Sequence, residues 1–255
     1  MINSKVSGSG LPVVLIHGYG ENLSLWDGIS TALSSKYQVI TLDLPGFGKS
    51  RPIETPFTLA KIAEIVDTHL TVSLRIKQYV VLGHSLGGYI SLALSKSYPE
   101  AVLAFGLVNS TSFADSDEKK ANREKSIAFI NKYGAAFFLE SFVPNLFTPE
   151  NQHELSTEIA LVLKMGTNLP NSVLTSYMSA MANRPDLSDL LSEYENILLV
   201  AGLLDPQFAY KDIMLEIDLL KKVENGHIFE DTAHMSMLES ERLLIDVIRD
   251  FLDNI

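Results

Sequence analysis

Apolar and polar positions in the first hundred residues follow two different periods. Residues 12–16, 37–42, 79–82 and 101–108 are short, largely apolar runs bounded by glycine, proline or polar residues. Strands buried on both faces of a parallel sheet require runs of this kind. Between them, residues 25–33, 58–74 and 86–97 carry apolar positions at helical spacing. In the second of these they fall at 59, 62, 63, 66 and 70. Ser24 stands where an N-cap would, and Pro99 ends the third. Strands separated by helices of this length predict right-handed crossovers and a mostly parallel sheet covered on both faces.

The pattern changes after residue 111. Residues 112–192 show no strand period and read as amphipathic helices broken by Gly134, Pro144, Pro149, Gly166, Pro170 and Pro185. A strand is expected again at 197–201, a helix over 206–222, a short strand at 227–229 and a last helix over 236–252. The organisation expected is therefore an α/β core built from 1–111 and 193–255, interrupted by a helical insert, 112–192.

Composition narrows the function classes. At 255 residues, with 46% hydrophobic and 20% charged positions, the chain can bury a large core without staples. It has no cysteine, which excludes disulfides, thiolate nucleophiles and Cys-ligated metal. Its net charge of −11 argues against a nucleic-acid partner. No apolar run approaches the ~20 residues of a membrane span, and the apolar stretch 11–16 is too short for a secretory signal. A cytoplasmic protein is expected. No H-E-x-x-H and no close histidine pair occurs, and no G-x-G-x-x-G follows a strand, so neither a metal nor a cofactor is expected.

The strongest chemical signal is Gly83-His84-Ser85-Leu86-Gly87, a G-x-S-x-G string directly after an apolar strand and directly before a helix. A sharp strand-to-helix turn holds such a serine in a strained conformation and lifts its hydroxyl out of the sheet. Side chains two residues away on either side would collide, hence glycine at 83 and 87. The helix N-terminus behind the serine offers free N–H groups and a favourable dipole to a developing anion.

Four further stretches accompany it: His17-Gly18-Tyr19-Gly20 after the first strand, 43–50 (DLPGFGKS), Gly202-Leu203-Leu204-Asp205-Pro206, and Ala233-His234-Met235 before the last helix. Together with the serine turn they make the chain similar to the α/β-hydrolase family over almost its whole length. The resemblance implies an ordered triad of Ser85, Asp205 and His234. A serine hydroxyl needs a base, and His234 is the candidate; Asp205 would orient its imidazole. The backbone N–H groups of Tyr19 and Leu86 would bind the oxyanion. Rivals exist: His17 and His84 flank the site, Asp115 follows the fourth apolar strand, where some members of the family carry the acid, and Asp43 sits in the 43–50 turn.

The resemblance also casts the insert as a cap over Ser85. Its Phe137, Phe138, Phe142, Phe147, Met165, Tyr177, Met178 and Met181 are either pocket or the core of a small helical unit. Phe138, Phe142, Tyr177 and Met181 are taken as the candidate substrate pocket, for an apolar acyl or alcohol group. Two departures matter. Ala233 replaces the usual glycine before the histidine, and one or both of the family's leading antiparallel strands are expected to be missing or reduced unless residues 1–6 form an edge strand. A serine nucleophile argues against opening epoxides or displacing halide through an aspartyl ester. The expected function is hydrolysis of a small carboxylic ester through an acyl-enzyme. Carbon–carbon or thioester hydrolysis with the same triad, and a slow-turnover small-molecule receptor, are the alternatives. A histidine base predicts activity that falls on the acid side as the imidazole protonates.

Overall fold

The apolar runs become the inner strands of a seven-stranded sheet in the computed structural model, which describes residues 1–255. The strands are β1 (Ser4–Ser7), β2 (Pro12–Ile16), β3 (Gln38–Leu42), β4 (Tyr79–His84), β5 (Val102–Val108), β6 (Ile197–Gly202) and β7 (Gly226–Phe229). Their order across the sheet is β1-β3-β2-β4-β5-β6-β7. Only β1 is antiparallel, with Ser4 opposite Leu42 and Ser7 opposite Val39. One leading strand is therefore present as an edge. The central strands β4 and β6 are buried at every position, which is why they read as unbroken apolar runs.

The helices are α1 (Asp27–Leu33), α2 (Leu59–Thr68), α3 (Leu86–Ser97), α4 (Asp117–Tyr133), α5 (Ala135–Phe142), α6 (Pro149–Glu154), α7 (Ser156–Gly166), α8 (Asn171–Ala182), α9 (Asp189–Glu193), α10 (Tyr210–Leu219), α11 (Ser236–Glu239) and α12 (Glu241–Asp253). The step from β2 to β3 runs one way along the sheet and the step from β4 to β5 the other. Right-handed crossovers therefore put α1 on one face and α3 on the opposite face. α12 packs beside α1, and α2 packs beside α3. The reversal falls between β2 and β4, so their carboxyl ends splay apart and leave a crevice.

Some boundaries differ from the sequence pattern. The helix expected over 25–33 begins as a 3₁₀ turn, Leu23–Trp26, capped by Asn22 rather than Ser24. The helix expected over 58–74 stops at Thr68 and widens into a π turn, His69–Ser73. There the Thr71 hydroxyl donates back to the Asp67 carbonyl at 2.8 Å, a contact that loosens the helical ladder. The last helix is broken at Ser240, whose backbone is not helical.

Helices α4–α9 all lie between β5 and β6. α4 opens on Ser116, whose side chain accepts from the Lys119 N–H, and closes on Gly134 at φ 97°. Three hydrogen bonds tie this helical stretch to the carboxyl ends of the strands. Tyr19 Oη donates to the Leu174 carbonyl at 3.0 Å, Tyr177 Oη to the Pro45 carbonyl at 3.0 Å, and the His234 N–H to the Leu146 carbonyl at 2.9 Å. No helix is long and apolar enough to cross a membrane.

Candidate active site

Ser85 sits between β4 and α3 with φ 50° and ψ −113°, a conformation that L-residues rarely adopt. The turn is possible only because its neighbours lack side chains. A Cβ on Gly83 would stand 2.1 Å from the Gly87 carbonyl carbon, and one on Gly87 would stand 2.3 Å from the Ile16 carbonyl oxygen. Behind Ser85, Leu86 is the first residue of α3, so no carbonyl one turn back receives its N–H. Tyr19 lies beyond the end of β2, across the crevice. Neither the Leu86 nor the Tyr19 N–H has a partner among the chain's turn and loop hydrogen bonds.

His234 and Asp205 follow β7 and β6. His234 Nδ1 donates to Asp205 Oδ2 at 2.8 Å. That bond places the neutral imidazole's proton on Nδ1 and leaves Nε2 as the acceptor. Asp205 also accepts from the Gln207 N–H at 2.8 Å and from Asn109 Nδ2 at 3.2 Å. Burial by itself would raise this carboxyl, but His234, Gln207 and Asn109 together hold it below the ordinary aspartate range. Ser85, Asp205 and His234 open on one cavity of about 900 Å³. Ser85 and His234 share no hydrogen bond here. In free enzymes such bonds are commonly long and tighten with substrate.

The two rival histidines are accounted for by their partners. His17 Nδ1 donates to the Gly18 carbonyl at 2.8 Å, while Nε2 accepts from the Leu44 N–H at 3.0 Å. It is thus neutral, and burial lowers its pKa. His84 is the opposite case. Its Nδ1 lies 3.1 Å from Glu21 Oε2 and its Nε2 lies 3.0 Å from the His234 carbonyl. Both neighbours are acceptors, so both nitrogens carry protons and the ring is an imidazolium. Burial opposes that charge, but Glu21 outweighs it and raises the His84 pKa; Glu21 is itself lowered, mainly by His84, against its own burial. Glu21 Oε2 also accepts from the Gly18 N–H at 2.6 Å. The pair therefore ties the loop bearing Tyr19 to the residue before Ser85 and to the backbone of His234. Asp43 accepts from the Leu23 and Lys49 N–H groups, both at 2.8 Å, and Asp115 is held by Arg123 and Arg184. Neither acid reaches an imidazole.

Two positioning residues were not signalled by any motif. Asn109, at the end of β5 with φ 46°, donates to Asp205 and to the Ala233 carbonyl, and accepts from Ser236 Oγ at 2.5 Å. An asparagine just past a strand end is the only cue, since it tolerates a left-handed backbone. Glu239 clamps the loop around His234. Its Oε2 accepts from the Ala233 and Met235 N–H groups, both at 3.1 Å, and its Oε1 accepts from the Thr148 N–H at 2.8 Å. Glu239→Ala frees three backbone donors and lets the imidazole drift. We expect kcat to fall by up to about 100-fold, the scale of a ~1 Å misplacement. An unchanged kcat in a folded Glu239→Ala protein would show that the loop is held without it.

Of the pocket candidates, Phe138, Phe142 and Met181 line the cavity, together with Leu146 and Met178. Phe138 and Phe142 stack with their planes 17° apart. Tyr177 does not line it, which corrects its assignment to the pocket. It is fully buried between Phe47 and Phe57, with its hydroxyl spent on Pro45. Its aromatic body fills the gap between α8 and the 43–50 turn. Phe147 is also buried away from the cavity, and Phe137 is exposed. A separate cavity of about 410 Å³ runs along α3 beyond Tyr89 and contains no triad group. No group of acidic or histidine side chains is arranged to hold a metal ion.

Comparisons agree with this architecture. The esterase of Thermogutta terrifontis superposes with a TM-score of 0.91 at 24% identity, covering 99% of this chain and 93% of that one. The enol-lactonase of Burkholderia xenovorans superposes with a TM-score of 0.88 at 20% identity, covering 99% and 96%. At such identities the likeness is one of fold. Among curated proteins, the pimeloyl-[acyl-carrier protein] methyl ester esterase of Aeromonas hydrophila is 37% identical over 137 residues, 52% of each chain. The enzyme of the same description from Nitrosomonas europaea is 33% identical over 110 residues, 43% of this chain and 41% of that one. The match thus spans about half the length of these relatives. The family model for the alpha/beta hydrolase fold matches residues 12–241. With that match over most of its length, and with the strained serine turn at the sheet's crevice, the chain belongs to the α/β-hydrolase fold family.

Proposed function

We propose that the protein is a serine hydrolase that cleaves a small carboxylic ester through an acyl-enzyme on Ser85. The observation that carries this reading is the Asp205–His234 hydrogen bond, with His234 and Ser85 opening on one cavity. His234 Nε2 takes the Ser85 proton as Oγ attacks the ester carbonyl. The negative oxygen of the tetrahedral intermediate is received by the Tyr19 and Leu86 N–H groups. His234 then returns the proton to the departing alcohol, leaving the acyl group on Ser85. Water follows the same path: its proton goes to His234, its oxygen to the acyl carbon, and the acid leaves as Ser85 Oγ recovers a proton. Residues 112–192 act as the cap, and Phe138, Phe142 and Met181 receive the apolar part of the substrate. Methyl-ester hydrolysis by the relatives from Aeromonas and Nitrosomonas supports ester over amide.

The test is a series of nitrophenyl acyl esters, short to long, given to the wild type and to Ser85→Ala. Turnover that requires Ser85, with a burst equal to the enzyme concentration, is the expected result. Equal turnover by both proteins would overturn the mechanism. The absence of any turnover by wild type would shift weight to a carbon–carbon hydrolase or a receptor.

A further inference from the structure

The catalytic cavity has a second chemical feature, on the side of α4. Lys119 and Arg123 stand one turn apart on one face of that helix, and both line the cavity. The Arg123 side chain is only 16% exposed. Its Nε and Nη2 are taken by Asp115 and the Tyr89 side chain lies nearby, but the Nη1 hydrogen bonds go to thioethers, Met178 Sδ at 3.5 Å and Met181 Sδ at 3.6 Å. A thioether is a weak acceptor and leaves this charged donor largely unsatisfied. Lys119 Nζ makes no ion pair and rests 4.5 Å above the Phe208 ring. That ring lies 5.8 Å from the ring of His234, so the ammonium stands beside the triad. Burial pulls Lys119 below the ordinary lysine range even though Asp115 and Asp205 pull the other way.

The carboxylates near these cations are mostly engaged elsewhere. Asp115 is shared between Arg123 and Arg184. Of the four acidic residues that line the cavity, Glu21 is paired with His84 and Asp205 with His234, and Glu118 and Asp212 form no ion pair with Lys119 or Arg123. A partly buried ammonium without an ion pair, and a guanidinium whose Nη1 faces thioethers, are costly, and the cost is recovered when a ligand brings an anion. In a chain of net charge −11, two such cations beside the nucleophile are a local exception. Phe138, Phe142 and Leu146 give the same cavity an apolar wall.

We propose that the substrate carries, besides the scissile ester, a free carboxylate that is held by Arg123 Nη1 and Lys119 Nζ. The carboxylate's two oxygens suit one donor from each residue, and an alkyl stretch along the apolar wall would join it to the ester. The substrate class is thus a half-ester of a dicarboxylic acid, or an ester of a hydroxy acid. This rests on the Ser85 reading above, and the experiment separates the two.

Two matched pairs of esters provide the measurement. Monoethyl adipate is set against ethyl hexanoate, and 6-acetoxyhexanoate against hexyl acetate. The wild type is expected to prefer the carboxylate member of one pair by about tenfold or more in kcat/KM. Arg123→Gln and Lys119→Met are each expected to shrink that ratio about tenfold, chiefly through KM. A purely structural Arg123 would lower both members equally and leave the ratio alone. Ser85-dependent turnover of the neutral esters without a preference, or a preference that survives both substitutions, overturns the proposal and spares the hydrolase reading. Binding reads the site without turnover. Monoethyl adipate is expected to raise the Tm of Ser85→Ala, and Arg123→Gln to remove the rise; no rise would overturn the carboxylate site even in a protein inert to every ester. Hexyl phosphate that competes better than hexanoate would make the anion a phosphate and overturn the carboxylate assignment.

Discussion

Replacing Ser85 with alanine is expected to lower kcat for ester hydrolysis by about 10⁶-fold, and replacing Ser85 and His234 together is expected to cost little more. The reason is that in the proposed mechanism the two groups perform one proton-coupled step. Without the hydroxyl there is nothing for His234 to deprotonate, and without the imidazole the hydroxyl is a poor nucleophile. Asp205→Asn should be milder, about 10⁴-fold, because an amide in place of the carboxylate reverses the preferred tautomer of His234 without emptying the site. Residual acceleration in each variant would come from the oxyanion donors and from binding. The check is kcat for a nitrophenyl ester across the single and double variants at one pH. Effects of Ser85→Ala and His234→Ala that multiply rather than saturate would show that the two residues act independently. That would contradict the mechanism.

Removing Glu21 is expected to be the most damaging single change to stability outside the glycines of the serine turn. Glu21→Ala leaves the His84 imidazolium and the Gly18 N–H buried without their carboxylate. Breaking a buried pair by deleting one partner costs about 3–5 kcal/mol, or roughly 6–20 °C in Tm for a chain of this size. Glu21→Gln should cost less, since its amide oxygen still accepts from Gly18 and His84 can lose its proton. The effect depends on pH. The His84 pKa is raised, so its contribution is complete below the ordinary histidine value of 6.5 and is lost as pH climbs through the folded value. The Glu21 pKa is lowered, so its contribution is complete above the ordinary glutamate value of 4.5 and is lost as pH drops through the folded one. The stability gap between wild type and Glu21→Ala should therefore be widest between about 4.5 and 6.5 and should narrow on the alkaline side. Thermal unfolding of both proteins from pH 4 to 9 measures it. A gap that widened steadily with pH would mean that His84 is neutral.

Much of the architecture was legible in the residues themselves. The buried strands showed as unbroken apolar runs because both faces of β4 and β6 are covered. The helical insert showed because strand periodicity vanishes over 80 residues while helix breakers recur. Ser85 was legible for a stricter reason: its strained turn tolerates no side chain at 83 or 87, so the constraint is written within five residues. Asp205 and His234 were weaker. Each is one residue in a loop, and their chain order and family resemblance carried them.

What the sequence determined by itself, then, is whatever depends on near neighbours: the sheet, the serine turn, and the ordered triad candidates. The tertiary structure decided everything that rests on contacts between distant segments. Glu21 meets His84 across 63 positions, and Glu239 reaches Thr148 across 91. Tyr177 and Met181 lie one turn apart on α8, yet one fills the core and the other lines the cavity. Periodicity reports that a helix face is apolar; it does not report whether the opposing surface is core or cavity, because that depends on how α4, α5 and α8 pack over the strand ends. The same holds for Lys119 and Arg123. On the chain they are two of many charged residues over 115–125, and only the fold turns them into the cavity that Ser85 lines.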